Sequence, residues 1–148
     1  MIAHFYRALD TLAPLARQVG TKLLIENMPF AFLPDAESLM NAVDGYGDES
    51  IRVIYDVANA HFIGEAPTDG LRRVRDRVSL VHFSDTTRLS YKHDPLGCGD
   101  VPLTGIASVM TEIGHTELPM LEVISLNPDA DIADSCRRLQ HAGFGSHA

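Results

Sequence analysis

The sequence has little cysteine, no tryptophan, a deficit of positive charge and no long hydrophobic run, and most of these shortages exclude something. Two cysteines, Cys98 and Cys136, occur in 148 residues, and they form no C-x-x-C pair. Neither a disulfide framework nor a structural zinc knuckle is signalled, and a reducing, cytoplasmic setting is expected. Lysine and arginine number 12 against 20 aspartates and glutamates, a formal charge of −8. Nucleic-acid binding is driven by basic side chains that displace counterions from phosphates, so no nucleic-acid partner is expected. No apolar run approaches the ~20 residues that cross a bilayer, and the amino-terminal MIAHFYRALD has charges where a signal peptide has an uninterrupted apolar core. No membrane partner is expected either.

What is present is a chain 45% apolar and 22% charged, the balance of one globular domain over residues 1–148 that can bury a core of its own. Its organising stretch is IRVIYDVANAH, Ile51 to His61. Apolar through Val53, Ile54 and Tyr55, it turns abruptly polar at Asp56, Asn59 and His61, as a buried parallel strand does when it delivers polar groups at its carboxyl end. The pattern recurs three times: Lys22 to Ile25 runs into Glu26-Asn27, Val78 to Val81 into His82, and Leu118 to Leu121 into Glu122. Four apolar runs thus stop at Glu26, Asp56, His82 and Glu122, each able to bind a divalent metal or move a proton.

Helical signals separate these strands. Phe5, Leu9, Leu12, Ala13, Ala16 and Val19 recur at near-helical spacing up to Gly20, with Pro14 expected to kink or split the helix. Asp35 can cap a second helix running to about Val43, closed by Gly45 and Gly47. A third is expected over Thr68 to Asp76, with Arg72, Arg73, Arg75 and Arg77 as a solvated face. Others are expected over Leu103 to Ile113 and over Asp129 to Ala142, closed by Gly114 and Gly143. Between them Ser84 to Pro102 reads as one long irregular stretch, a length that in a compact domain is usually functional or mobile.

Strand and helix therefore alternate four times after a first helix, which implies right-handed βαβ units and a parallel sheet. Ligands of such sheets bind off the carboxyl ends of the strands, where the four polar residues fall. Three carboxylates and one imidazole suit a hard or borderline divalent ion such as Mn²⁺, Mg²⁺, Co²⁺ or Zn²⁺. Asp85, three residues past His82, either orients an imidazole or starts a turn. His93, beside Gly97 and Gly99, reads as a ligand contact or a plain loop histidine. Arg88 or Lys92 is either a phosphate contact or a solvated charge, and His4, His115, His141 and His147 are expected to face solvent.

LLIEN, YDVANAH, VHFSDT, HDPLGCGDVP and LEVIS, in this order, resemble the second half of the sugar phosphate isomerase/epimerase superfamily, the xylose-isomerase-like TIM barrels. The resemblance implies an α/β fold in which parallel (β/α) units, four strands and about five helices, form half of a TIM barrel as its strands five to eight. It implies that Glu26, Asp56, His82 and Glu122 hold one divalent metal, with Glu26 and Glu122 also acting as acid and base. Many members carry a substrate-contacting histidine three residues after the metal-binding Asp. Here Asn59 holds that place and His61 follows two residues later, so both are candidate substrate contacts.

The function this implies is a metal-dependent isomerase or epimerase of a sugar or sugar phosphate, working by proton abstraction next to a carbonyl through an enediolate. A dehydratase of a cyclic polyol ketone or of dehydroshikimate would use the same scaffold. A non-catalytic metal-binding or partner-binding half-barrel is a third reading, and an endonuclease IV-like DNA repair enzyme, opposed by the charge, a fourth. Since an eight-stranded barrel takes ~250 residues, the first half is missing. Four strands alone leave two open edges and an apolar inner face, so a homodimer or a partner chain that completes the barrel is expected.

Overall fold

The computed structural model describes residues 1–145, so the expectation for His147 lies outside the described residues. Four parallel strands form one sheet in the order β1-β2-β3-β6: β1 Leu23–Glu26, β2 Ile51–Asp56, β3 Val78–Phe83 and β6 Met120–Leu121. Six helices accompany them: α1 Ile2–Gln18, α2 Ala36–Tyr46, α3 Val57–Phe62, α4 Pro67–Val74, α5 Leu103–Glu112 and α6 Pro128–Ala142. This is half of a (β/α)₈ barrel, with the strands at Leu23 and Met120 as its two edges. The last strand is two residues long, shorter than the apolar run from Leu118 to Leu121. Its backbone leaves the ladder after Leu121, although Glu122 still donates its N–H to the Phe83 carbonyl at 2.9 Å.

The period of two decides which side chains meet the helices. Ile51, Val53 and Tyr55 of β2 are fully buried, as are Val81 and Phe83 of β3, and they pack with Leu39, Val43, Leu71, Val74 and Ile106 from the helices. Arg52, Ile54 and Asp56 alternate with them and face the other way, toward the barrel interior. Fully burying one such aliphatic or aromatic side chain stabilises by roughly 1.5–3 kcal/mol, so this outer layer holds the half-barrel together.

Local chemistry explains the helix ends. Asp35 accepts a hydrogen bond from the Ser38 N–H at 2.7 Å in a reciprocal capping box, and Gly47, at φ 81°, closes α2. Pro14 neither splits nor ends α1. It lies on the exposed side while Leu9 and Ala13 are buried on the other, so solvent can serve the Asp10 carbonyl that proline leaves without a donor. Arg77 is not part of a solvated face: it reaches Asp44 at 3.1 Å and the carbonyls of Asp48 and Ile51, tying α2 to the start of β2. His115 is half-buried rather than solvent-facing, and burial lowers its pKa.

Two elements depart from the expected pattern. Six residues after Asp56 form α3, with Asp56 itself as N-cap. The stretch Ser84 to Pro102 is not irregular throughout, because β4 (Asp85–Thr87) and β5 (Ser90–Asp94) pair as an antiparallel hairpin with Arg88 and Leu89 at its exposed tip. No helix among the described residues is long and apolar enough to cross a membrane.

Candidate metal centre

Glu26, Asp56, His82 and Glu122 converge at the carboxyl ends of the four sheet strands, each offering a ligand atom within 4.8 Å of the others. His82 Nδ1 lies 2.9 Å from Glu122 Oε2 and 3.2 Å from Glu26 Oε1. The Glu26 hydrogen bond raises the imidazole pKa against the opposing effect of burial, with the charges of Glu26, Glu122 and Asp56 adding to it. Asp56 is fully buried. Desolvation, with the charges of Glu26 and Glu122, pushes its carboxyl up to about 7 despite the hydrogen bond from the Asn59 backbone.

That arrangement fits a cation. Asp56 Oδ1 accepts from the Asn59 N–H at 2.6 Å, but its Oδ2 is buried without any hydrogen-bond partner. An orphaned buried carboxylate oxygen is costly, and here it stands among two further carboxylates and an imidazole nitrogen. A divalent ion would satisfy the orphan and reverse the sign of the local field. The donor set is oxygen-rich and free of thiolate, which suits Mn²⁺, Mg²⁺, Co²⁺ or Zn²⁺.

Asn27 and Tyr91, which carry no periodic signal of their own, build much of the surrounding shell. Asn27, fully buried, receives the Asp56 N–H on its side-chain oxygen at 2.8 Å and donates to the Asp56 carbonyl at 3.0 Å. Its own carbonyl accepts from Asn59 Nδ2 at 2.9 Å, and Asn59 Oδ1 accepts from the Tyr91 hydroxyl at 2.8 Å. Asn59, expected at the substrate, is therefore occupied in joining the ends of β1 and β2 to the hairpin. The available signal is the placement of an asparagine beside each ligand candidate, Asn27 directly after Glu26 and Asn59 three residues after the helix-capping Asp56.

His93 is brought to the cluster. Its Nδ1 is 2.9 Å from Ser84 Oγ and 3.9 Å from Glu122 Oε2, and its Nε2 is 2.9 Å from the Tyr91 hydroxyl. Tyr91, Phe62 and Phe30 form an aromatic wall beside it, with ring centroids 5.1–5.8 Å apart. His61 is buried and faces Asp100 at 2.7 Å across the loop before α5. Arg88 stands away at the exposed hairpin tip, and Lys92 pairs with Asp94 at 3.3 Å. Asp85 orients no imidazole: its carboxylate accepts the N–H groups of Gly97 at 2.7 Å, Val101 at 3.1 Å and Thr86 at 3.0 Å, so it organises the loop after the hairpin. Gly99 is required there, because a Cβ would lie 2.2 Å from the Thr86 carbonyl oxygen.

The family model of the xylose isomerase-like TIM barrel matches residues 1–142. The chain belongs to this family. Among solved structures, the xylose isomerase-like half-barrel superposes on a D-tagatose 3-epimerase-like protein with a TM-score of 0.80 at 18% identity, covering 95% of this chain and 54% of that one. A 3-keto-D-glucoside 4-epimerase from E. coli gives 0.79 at 16% identity, covering 92% and 52%. A probable 3-DHS dehydratase from Bacillus anthracis gives 0.78 at 14% identity, covering 92% and 55%. At such identities the likeness shows the fold, and the chain spans about half the length of these structures. No curated protein matches the chain.

Proposed function

We propose that this chain is one domain supplying strands five to eight of a divalent-metal-dependent isomerase or epimerase that acts on a sugar or sugar phosphate. The observation that carries the reading is the convergence of Glu26, Asp56, His82 and Glu122 on one point, with a buried Asp56 oxygen left for an ion. The metal, when bound, would act as a Lewis acid on the substrate's carbonyl and neighbouring hydroxyl oxygens. The names of the two epimerases support a carbohydrate substrate.

Acid and base are assigned to Glu26 and Glu122. Glu26 ends one edge strand and Glu122 follows the other, so their carboxylates approach the cluster from opposite edges of the sheet. One carboxylate oxygen takes the proton next to the carbonyl and the other glutamate returns a proton to the opposite face. Asp56, held by Asn59 and Asn27, contributes a fixed anionic oxygen, and His82 a nitrogen. His93 and Tyr91 border the same space and can hold substrate hydroxyls, with Phe30 and Phe62 as an apolar wall for the carbon chain. Asn59 meets the site through Asp56 and Tyr91, His61 faces Asp100, and Arg88 stands at the exposed hairpin tip.

A dehydratase is the second reading, favoured by the likeness to the probable 3-DHS dehydratase. It shares the proton abstraction and differs in expelling a hydroxyl afterwards. The free thiols of Cys98 and Cys136 suit a reducing cytoplasmic setting. Full activity requires the other four strands of an eight-stranded barrel. The deciding experiment is exchange of the substrate's α-proton with deuterated water in the assembled barrel, with and without chelator. Metal-dependent exchange with a ketose supports the reading, and exchange unaffected by metal removal overturns it.

A further inference from the structure

The Tyr91 hydroxyl belongs to a chain of hydrogen bonds whose direction is set at its far end. Asn59 Nδ2 lies 2.9 Å from the Asn27 carbonyl, and a carbonyl can only accept, so the Asn59 amide is oriented with its oxygen toward Tyr91. That oxygen, Oδ1, is 2.8 Å from the Tyr91 hydroxyl and can only accept as well. The single hydroxyl hydrogen therefore goes to Asn59. Burial and the charges of Asp56, Glu122 and Glu26 raise the Tyr91 pKa, so the hydrogen stays on its oxygen. Met28 Sδ, 4.0 Å away, is a weak acceptor that does not compete. Toward His93 Nε2, at 2.9 Å, the Tyr91 oxygen has only lone pairs to offer. Nε2 must carry the hydrogen of that bond.

We infer that Tyr91 is a positioning residue of the metal centre: its hydroxyl holds His93 as the Nε2–H tautomer, so that Nδ1 meets Glu122 with a lone pair and not with a hydrogen. Nδ1 lies 2.9 Å from Ser84 Oγ and 3.9 Å from Glu122 Oε2. With a lone pair there, Nδ1 accepts the hydroxyl hydrogen of Ser84, which is fully buried. With a hydrogen there, an N–H would stand beside a carboxylate oxygen that also faces His82 Nδ1 at 2.9 Å. Hydrogen and cation would compete for the same lone pairs. The Nε2–H tautomer leaves Glu122 Oε2 to the ion. Tyr91 and His93 alternate with Lys92 on β5 and so share one face of the strand, with ring centroids 5.3 Å apart and planes at 81°. The Ile124 N–H donates to the His93 carbonyl at 2.7 Å, which fastens β5 to the segment that carries Glu122. The inference rests on the proposed metal centre, but the tautomer can be read without metal.

The chain is labelled with isotopic histidine and its imidazole nitrogens are observed by NMR, metal-free, at about pH 8, above the ordinary imidazole range. His93→Gln assigns the signals, and circular dichroism confirms folding of each variant. The native chain is expected to show a protonated Nε2 and a bare Nδ1 at His93. Tyr91→Phe keeps the ring packed on Phe30 and Phe62 but removes the acceptor for Nε2–H. In that variant the hydrogen is expected on Nδ1, where Ser84 and Glu122 remain as acceptors. A native His93 protonated at Nδ1, or an unchanged tautomer in Tyr91→Phe, overturns the inference. Calorimetry with Mn²⁺ then separates positioning from a merely structural role. Tyr91→Phe is expected to weaken Mn²⁺ binding about tenfold in the native background, and to leave it unchanged in His93→Gln, where no tautomer exists to be set. Equal losses in both backgrounds overturn the inference. A native chain that binds no Mn²⁺ refutes the metal centre and this role with it, whereas native binding that Tyr91→Phe does not weaken refutes the role alone.

Discussion

The side-chain amide of Asn27 grips the backbone of Asp56 from both sides, accepting its N–H at 2.8 Å and donating to its carbonyl at 3.0 Å. It does for the ends of β1 and β2 what another ladder step would do, and it fixes the separation of Glu26 from Asp56. Replacing it by alanine leaves a buried N–H and a buried carbonyl without partners. Each such loss costs ~1–3 kcal/mol, so Asn27→Ala is expected to destabilise by about 3 kcal/mol, measured by urea unfolding. A change below about 1 kcal/mol would show that water replaces the amide at little cost.

Asp56→Asn separates metal binding from folding. The amide oxygen can still accept the Asn59 N–H, while the buried charge that desolvation opposes is gone. Without metal the variant is expected to be at least as stable as the native chain, and its Mn²⁺ affinity by calorimetry to fall at least about tenfold, the lower end of what disrupting a metal site's supporting partners costs. Undiminished affinity would remove Asp56 from the ligand set.

The pH dependence of the metal-free fold follows from two raised groups. Asp56 is pushed up to about 7, so between its ordinary value and 7 the folded state binds more protons than the unfolded one, and stability falls as pH rises through that window. His82 is raised as well, and its contribution is present below the ordinary imidazole value and lost as pH rises through the folded one. Both act in the same direction. The melting temperature without metal is expected to drop between pH 5 and about 8, and Mn²⁺ to raise it more at the upper end, where fewer protons compete. A metal-free melting temperature that climbs across this range contradicts the assignment.

Glu122→Gln keeps an oxygen for coordination and removes the proton acceptor. In the assembled barrel, α-proton exchange is expected to fall by ~10²–10⁴-fold, with metal stoichiometry kept. Undiminished exchange would exclude Glu122 as acid or base.

Asp85→Ala strips the acceptor from the N–H groups of Gly97, Val101 and Thr86. A loss of about 2–3 kcal/mol is expected, chiefly from the buried N–H groups of Thr86 and Val101 left unpaired. Faster hydrogen exchange should appear first at the amides of Gly97 and Val101. Uniformly faster exchange through the sheet would instead show that Asp85 supports the whole fold.

The sequence by itself determined the alternation of strands and helices, the two edges of the sheet and the strand ends that carry Glu26, Asp56, His82 and Glu122. Buried parallel strands read as apolar runs, and where such a run stops the chain leaves the sheet, so the position of the first polar residue encodes the rim. The cap at Asp35 was legible for a similar reason, since its partner Ser38 lies three residues away. Tertiary structure alone decided what depends on contacts across the chain. Asn27 meets Asp56 over 29 residues, Asn59 meets Tyr91 over 32, and Asp85 reaches the loop at Val101 over 16. None of these has a local period. Helix α3 carries no sequence signal because six residues hold less than two turns of periodicity, and the β4–β5 hairpin carries none because its strands are three and five residues of mostly polar sequence. Arg52 lies inside an apolar run, and the packing of the helices against Ile51, Val53 and Tyr55 decides that its side chain takes the opposite face.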